Sequence, residues 1–282
     1  MTPASAPAPG SGPEQAGSAA VRPPTSEDVE RRLHSFRVRA LRPILWAAIH
    51  TLAFVRRFDW TAEGTEHIED LDGPVLFAAN HQSHVDTAAI IGTLPKHICK
   101  RTVVAAALDV FGRGPAGAPP SLKRELLQLL VASGFHAFAF DRHGPALPSL
   151  RTSTQLVRNG WNLLLYPEGT RSRTGQIGAF KAGVGILARF TNRPVVPVFT
   201  FGGREILRCG AFMPGSGQAI VRYGKPIWLE KGESAEAFAQ RIEQSVRALG
   251  ALSPRYANIV ASRSADVAAD TEALPEPKYM PY

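Results

Sequence analysis

Short apolar runs that alternate with longer helical patterns are the feature that most restricts the fold of this chain. Such alternation is typical of α/β proteins, in which helices cover both faces of a largely parallel sheet. The runs predict six strands: Val75–Ala79, Thr102–Ala106, Ala137–Phe140, Asn162–Tyr166, Val195–Phe199 and Ala219–Tyr223. The sequence therefore predicts an α/β fold with a largely parallel central sheet flanked by helices.

Helical patterns fill the stretches between these runs. They predict helices at Thr87–Leu94, Leu122–Ser133, Pro148–Asn159, Ala179–Phe190 and Ser234–Leu249. Gly134, Gly160 and Gly250 lie just past three of these ends, where glycine commonly stops a helix because it accepts a left-handed backbone.

Both ends of the chain differ in composition from its middle. Residues 1–28 are rich in Pro and Ala, which predicts a disordered tail, and they lack the basic start and apolar middle of a secretory signal. We therefore expect a protein that is not exported. Residues 251–282 are expected to be loosely ordered, residues 29–60 to form a basic and apolar helical segment, and residues 61–250 to form the folded domain.

Charge and cysteine content narrow the classes of partner. The net charge of +8 favours an anionic partner, such as nucleic acid, acidic lipid or a phosphorylated small molecule. We expect no nucleic acid partner, because basic and aromatic residues are not interleaved as in a binding platform. Cys99 and Cys209 have no Cys or His at zinc-like spacing, so we expect no metal site.

A polar cluster, Asn80 to Asp86, follows the first predicted strand. Loops at the carboxyl ends of parallel strands usually hold the chemistry of such folds. His81 can remove a proton from a hydroxyl, and a carboxylate on its other ring nitrogen, here Asp86, would fix the tautomer. The alternative is structural, because Ser83 and Asp86 also have the spacing of a helix capping box.

A second cluster, Tyr166 to Ser172, follows the fourth predicted strand. Its arginine, hydroxyls and turn amides could bind a phosphate group, and Lys181 would add a cation where the next predicted helix begins. A plain Pro-Glu-Gly turn with solvated arginines is the alternative. Asp141 and Arg142, after the third strand, are typical of a local ion pair.

Four blocks in this order carry a resemblance: Asn-His-x-Ser-His-x-Asp from Asn80, Phe-x-Phe-Asp-Arg from Phe138, Tyr-Pro-Glu-Gly-Thr-Arg-Ser from Tyr166, and Val-Val-Pro-Val from Val195. Together they resemble the 1-acyl-glycerol-3-phosphate acyltransferase family. The resemblance implies that His81 is the base and Asp86 its orienting carboxylate. It also implies that Glu168, Gly169, Thr170 and Arg171 bind the acceptor phosphate, with Arg142 assisting, and Lys181 is our addition to that set.

The resemblance further implies an O-acyltransferase that moves a fatty acyl group from acyl-CoA or acyl-carrier protein to the sn-2 hydroxyl of 1-acyl-glycerol-3-phosphate, forming phosphatidic acid. It implies direct transfer without a bound cofactor or metal, and the chain has no Gly-x-Ser-x-Gly nucleophile motif. The same chemistry on another lysophospholipid, a lyso-aminolipid or a glycolipid is an alternative. A non-catalytic protein that binds anionic membranes is another.

Residues 29–60 suggest how such an enzyme would reach a lipid. Seven arginines and no acid lie between Arg31 and Arg57, and they bracket an apolar run at residues 43–55. This run is shorter than the roughly 20 residues needed to span a bilayer, so we expect a helix in the membrane interface. A core helix is the alternative, and the docked protein is expected at the cytoplasmic face of the cell membrane.

Overall fold

The computed structural model describes residues 24–107, 132–140, 146–172, 174–207, 213–258 and 260–261. Its strands are β1 Phe58–Glu63, β2 Leu76–Ala79, β3 Thr102–Ala107, β4 Ala137–Phe140, β5 Asn162–Leu165, β6 Val195–Phe201 and β7 Gly217–Tyr223. Its helices are α1 Ser26–Leu33, α2 Phe36–Arg56, α3 His84–Thr93, α4 Lys96–Lys100, α5 Ala146–Arg158, α6 Gly183–Thr191, α7 Gly203–Ile206 and α8 Ala235–Ala251. A 3₁₀ turn spans Thr65–His67.

The strands form one sheet in the order β1-β7-β6-β2-β5-β3-β4. β6, β2, β5, β3 and β4 are parallel to one another, whereas β7 is antiparallel to β6 and β1 is parallel to β7. The predicted α/β fold with a largely parallel sheet is therefore confirmed. The carboxyl ends of β2 and β5 lie side by side, which brings the two polar clusters that follow them together.

Alternating side chains of the strands supply two cores. Leu76 contributes to the core beneath α1, α5, α6 and α8, whereas Phe77 contributes to the core beneath α2, α3 and α4. Both side chains are fully buried. A parallel strand that is buried on both faces reads as a continuous apolar run, which is why the central strands were predictable from the sequence.

The predicted boundary at residues 60 and 61 is wrong, because it cuts β1 in two. The residues at alternate positions, Phe58, Trp60 and Ala62, are more buried than the polar residues between them. This is the period-two pattern of an edge strand. The prediction places the first three residues of β1 in the basic helical segment, because that segment ends at residue 60.

Other boundaries also differ from the prediction, and α3 begins at His84 rather than at residue 87. α6 begins at Gly183 rather than at residue 179, because the amides of Phe180 and Lys181 donate to Glu243 and Pro167 instead of forming a helical turn.

The C-terminal tail does not start at residue 251, because Tyr256 is buried against Phe199. A single buried aromatic residue gives no periodic signal. The predicted tail boundary at residue 28 also falls inside α1. Most of the predicted helix at 122–133 lies outside the described residues.

α2 is longer than the apolar run that predicted it. It has 21 residues and, by length and composition, is apolar enough to cross a membrane. Only 11% of its apolar 18-residue stretch is buried in the protein. The expectation that this segment is too short to span a bilayer is therefore wrong. One side of α2 nevertheless rests on the protein: Trp46 donates to the carbonyl of Gly134, and Arg56 donates to that of Pro214.

Candidate active site

The polar cluster after β2 is organised by the start of α3. Ser83 is the N-cap residue, and Asp86 completes a capping box by accepting a hydrogen bond from the amide of Ser83. His81 lies in the turn before the helix, and its Nδ1 is 3.1 Å from Oδ2 of Asp86. The capping box and the His–Asp pair, which the sequence offered as alternatives, are both present because one carboxylate serves both.

Asp86 is buried, with 1% of its side chain exposed, and its two oxygens have different surroundings. Oδ2 accepts from the amide of Gln82 at 2.6 Å and from that of Ser83 at 2.7 Å, in addition to the contact with His81. Oδ1 is buried without a hydrogen-bond partner among the described residues. The backbone amides fix the carboxylate independently of the histidine.

His81 is held through its backbone as well as through its ring. Its amide donates to Oε1 of Glu168 at 2.8 Å, and its carbonyl accepts from the amide of Ser172 at 2.8 Å. Its imidazole stacks on the ring of Tyr166, with centroids 3.9 Å apart and planes 18° apart. Tyr166 is in turn tied to Thr87 by a hydrogen bond of 2.7 Å. With Nδ1 directed to Asp86, Nε2 is the ring nitrogen available to a reacting hydroxyl.

Glu168 joins the two polar clusters. Its Oε1 accepts from His81 and its Oε2 accepts from the amide of Gly178 at 2.9 Å. Burial raises the pKa of this carboxyl, and the two backbone hydrogen bonds partly oppose that rise. The carboxylate therefore positions the loop that carries His81. The predicted contact of Glu168 with a phosphate group stays a prediction.

We expect Glu168→Gln to lower the free energy of unfolding by about 1–3 kcal/mol, because one of the two amides would face an NH₂ group instead of an acceptor. The pKa of Glu168 is higher in the folded protein than in the unfolded chain, so protonation of this carboxyl favours the folded state. Its contribution to stability is therefore greatest at low pH and is lost as pH rises through the native pKa. The glutamine side chain of the variant does not titrate. Urea unfolding between pH 4 and 8 tests both points, and equal stability of the two proteins at every pH would contradict them.

The predicted anion site follows β5 as one turn. Gly169 adopts a left-handed backbone, with φ of 72°, and its amide donates to the carbonyl of Tyr166. A Cβ at this position would lie 2.8 Å from Nζ of Lys181, so the lysine passes directly over the turn. Thr170 and Lys181 are exposed.

Arg171 follows this turn directly along the chain, and the next residue, Ser172, donates its amide to the carbonyl of His81. Arg171 is half-buried, and it is close enough to His84, the first residue of α3, for its charge to act on that imidazole. The pKa of His84 is lowered by partial loss of hydration and further by the charges of Arg171 and His81. The structure thus brings His81, Asp86, Glu168, Gly169, Arg171 and Lys181 to one edge of the sheet.

Some site residues were not predicted, and one predicted residue lies outside the described part of the chain. Tyr166 and Gln82 belonged to the recognised motifs but had no assigned role, because ring stacking and loop-to-loop hydrogen bonds depend on the tertiary fold. Arg142 lies outside the described residues. Within the described ranges, no group of three or more His, Cys, Asp or Glu side chains could hold a metal ion.

Comparison with known proteins agrees with this site. The family model described as Acyltransferase matches residues 59–200, which is half of the chain and includes both polar clusters. A chloroplastic 1-acyl-sn-glycerol-3-phosphate acyltransferase of Brassica napus is 28% identical over 212 residues, covering 72% of this chain and 53% of the relative. A 1-acyl-sn-glycerol-3-phosphate acyltransferase of Pseudomonas aeruginosa is 32% identical over 128 residues, covering 42% of this chain and 48% of that protein.

A solved structure shares the fold. The 1-acyl-sn-glycerophosphate (LPA) acyltransferase from Thermotoga maritima superposes with a TM-score of 0.55 at 20% identity, covering 78% of this chain and 84% of that one. The chain spans about half the length of the curated relatives it matches. Because the family model covers half of the chain and contains the paired His81 and Asp86, this protein belongs to the Acyltransferase family.

Proposed function

We propose that this protein transfers a fatty acyl group from acyl-CoA or acyl-carrier protein to the sn-2 hydroxyl of 1-acyl-glycerol-3-phosphate, forming phosphatidic acid. The observation that carries the proposal is the contact of 3.1 Å between His81 and a buried Asp86, next to the segment from Tyr166 to Ser172 that contains Arg171. That arrangement combines a general base with a cation for the acceptor's phosphate. The names of the relatives support the same reaction.

The proposed reaction is a direct transfer in which His81 moves one proton. Nε2 of His81 takes the proton of the acceptor hydroxyl as its oxygen attacks the thioester carbonyl. The C–S bond then breaks, and the departing thiolate receives the proton from the imidazolium. Asp86 supports the charged ring throughout, since its Oδ2 faces Nδ1. The ester and the free thiol are the products, and no acyl group is attached to the protein.

A panel of lysolipids tests the identity of the acceptor. Purified protein would be incubated with palmitoyl-CoA and, in separate vessels, with 1-acyl-glycerol-3-phosphate, lysophosphatidylcholine, a lyso-aminolipid and a glycolipid, and the products identified by mass spectrometry. We expect phosphatidic acid to form fastest. If an acceptor without a terminal phosphate were acylated faster, the assignment of 1-acyl-glycerol-3-phosphate as the acceptor would be wrong, whereas the acyl-transfer chemistry would stand.

We expect Arg171→Ala to raise KM for 1-acyl-glycerol-3-phosphate about tenfold, because a charge-assisted hydrogen bond to the phosphate is present before the transition state as well as in it. KM for the thioester donor should change little. Steady-state kinetics with each substrate varied in turn gives both values.

Arg193→Ala is the matched control. Arg193 is also half-buried but precedes β6, at the opposite end of the parallel strands from His81. Its substitution should leave both constants within about twofold of the wild type. A raised donor KM with an unchanged acceptor KM in Arg171→Ala would place Arg171 on the donor side.

We also propose that α2 docks the protein peripherally on an anionic membrane, at the cytoplasmic face of the cell membrane. Its outward face carries Phe36, Ile44, Phe54 and Val55, which are 84%, 64%, 86% and 66% exposed. Arginines lie at both ends of the helix, where they can meet lipid phosphates. The contacts of Trp46 and Arg56 with the rest of the protein favour a helix that lies in the interface over one that spans the bilayer.

We expect the double variant Ile44→Glu, Phe54→Glu to weaken binding to anionic liposomes by at least about tenfold, because each apolar side chain contributes about 1.5–3 kcal/mol when it leaves water. Activity should fall on bilayer substrate and persist on a soluble short-chain lysolipid. Trp228→Glu, at an exposed tryptophan outside α2, is the control. Unchanged liposome binding by the folded double variant would remove α2 from membrane docking.

A further inference from the structure

We infer that Gly203 is a positioning residue for the His81–Asp86 pair: any larger residue there displaces the carboxylate that orients the base. A Cβ at position 203 would lie 2.5 Å from Oδ1 of Asp86. Real Cβ atoms essentially never approach an oxygen so closely, so the carboxylate or the backbone would have to move. This inference rests on the role given to His81 and Asp86 in the proposed function.

The need for glycine at this position comes from space rather than from backbone conformation. Gly202, just before it, has φ of 90° and a conformational reason to be glycine, whereas Gly203 is not among the residues with positive φ. The next two nearest atoms to a Cβ at position 203 are the Cβ atoms of Ser83 and Val85, at 3.4 and 3.5 Å, which is ordinary van der Waals contact. The added methyl group would therefore press on Asp86 while fitting its other neighbours.

Asp86 has little freedom to yield. Its Oδ2 is held by two backbone amides and His81, and the side chain is 1% exposed. The methyl group of an alanine at position 203 would press against Oδ1 and turn the carboxylate about these contacts. The contact to His81 would lengthen first, because it is the longest of the three at 3.1 Å. Gly203 also closes the side of Asp86 on which Oδ1 has no donor among the described residues. The base would then lose its fixed tautomer while the substrate sites stayed in place.

The test compares Gly203→Ala with Gly183→Ala. A Cβ at Gly183 meets nothing within 4 Å, so this control adds the same methyl group without a collision. We expect Gly203→Ala to lower kcat by about tenfold or more with both KM values near those of the wild type, because it disturbs the base and not the binding groups. Imidazole ¹⁵N shifts should show His81 losing its single tautomer in Gly203→Ala only.

A double-variant cycle separates this effect from general destabilisation. In an Asp86→Ala background the carboxylate is gone, so adding Gly203→Ala should change neither the remaining rate nor the melting temperature beyond what Asp86→Ala alone does. The melting-temperature cycle can be read even if Asp86→Ala has no measurable rate. If Gly203→Ala lowers the melting temperature equally with and without the carboxylate, or keeps wild-type kcat, the inference is wrong. Inactive wild-type and Gly183→Ala proteins would instead refute the proposed function.

Discussion

His81→Ala is expected to lower kcat for acyl transfer by about 10² to 10⁴, the usual loss when a positioned general base is removed. The fold should survive, because Asp86 keeps the amides of Gln82 and Ser83 as donors after the imidazole is lost. KM for either substrate should remain within about threefold, since the histidine acts on the hydroxyl in the transition state. Steady-state kinetics and a melting curve measured on the same preparation test the prediction.

His97→Ala is a suitable control, because His97 is an exposed histidine on α4 whose ring is hydrogen-bonded to the backbone carbonyl of Glu69. It should have wild-type activity. A His81→Ala protein that is folded and keeps more than about a tenth of wild-type kcat would show that another group removes the proton.

Asp86→Asn is expected to lower kcat by about 10² or more while preserving the structure. The amide oxygen of Asn can occupy the place of Oδ2 and accept the same three hydrogen bonds, and the NH₂ group would take the place of Oδ1, which has no partner to lose among the described residues. The substitution therefore removes the negative charge and little of the geometry. What is lost is the stabilisation of the imidazolium that forms as the hydroxyl gives up its proton.

Asp70→Asn, at an exposed aspartate, controls for the change in net charge. The kinetics of both variants should be compared at several pH values with the melting temperature monitored. If Asp86→Asn were folded and within threefold of the wild type, Asp86 would be a capping residue alone, as the structural reading of its spacing allowed.

The sequence predicted those parts of the molecule whose signal is local. The central strands are continuous apolar runs, so β2 and β5 could be located from the sequence. The capping-box spacing of Ser83 and Asp86 marks the first turn of α3, although the helical pattern alone places the start of that helix at Thr87 rather than at His84. Because parallel strands align their carboxyl ends, His81 and Arg171 could also be placed at one edge of the sheet.

What could not be predicted depends on residues that are distant along the chain. The stacking of Tyr166 on His81 follows from the pairing of β5 with β2, which no local pattern specifies. The approach of Gly203 to Asp86 likewise depends on where β6 ends beside β2. β1 is not predicted for a different reason, since its alternating pattern begins inside the predicted basic helical segment, which ends at residue 60.

In the proposed mechanism, His81 directs an acyl group straight from a thioester to the hydroxyl of a phosphate-bearing lysolipid. The most direct test incubates wild-type and His81→Ala proteins with 1-acyl-glycerol-3-phosphate and palmitoyl-CoA labelled in the acyl chain, and follows label in lipid and protein together with free CoA. This mechanism predicts labelled phosphatidic acid and CoA in equal amounts from the wild type, almost none from the variant, and no label on either protein. Label attached to a Ser or Cys of the wild type, or equal product from both proteins, would contradict it.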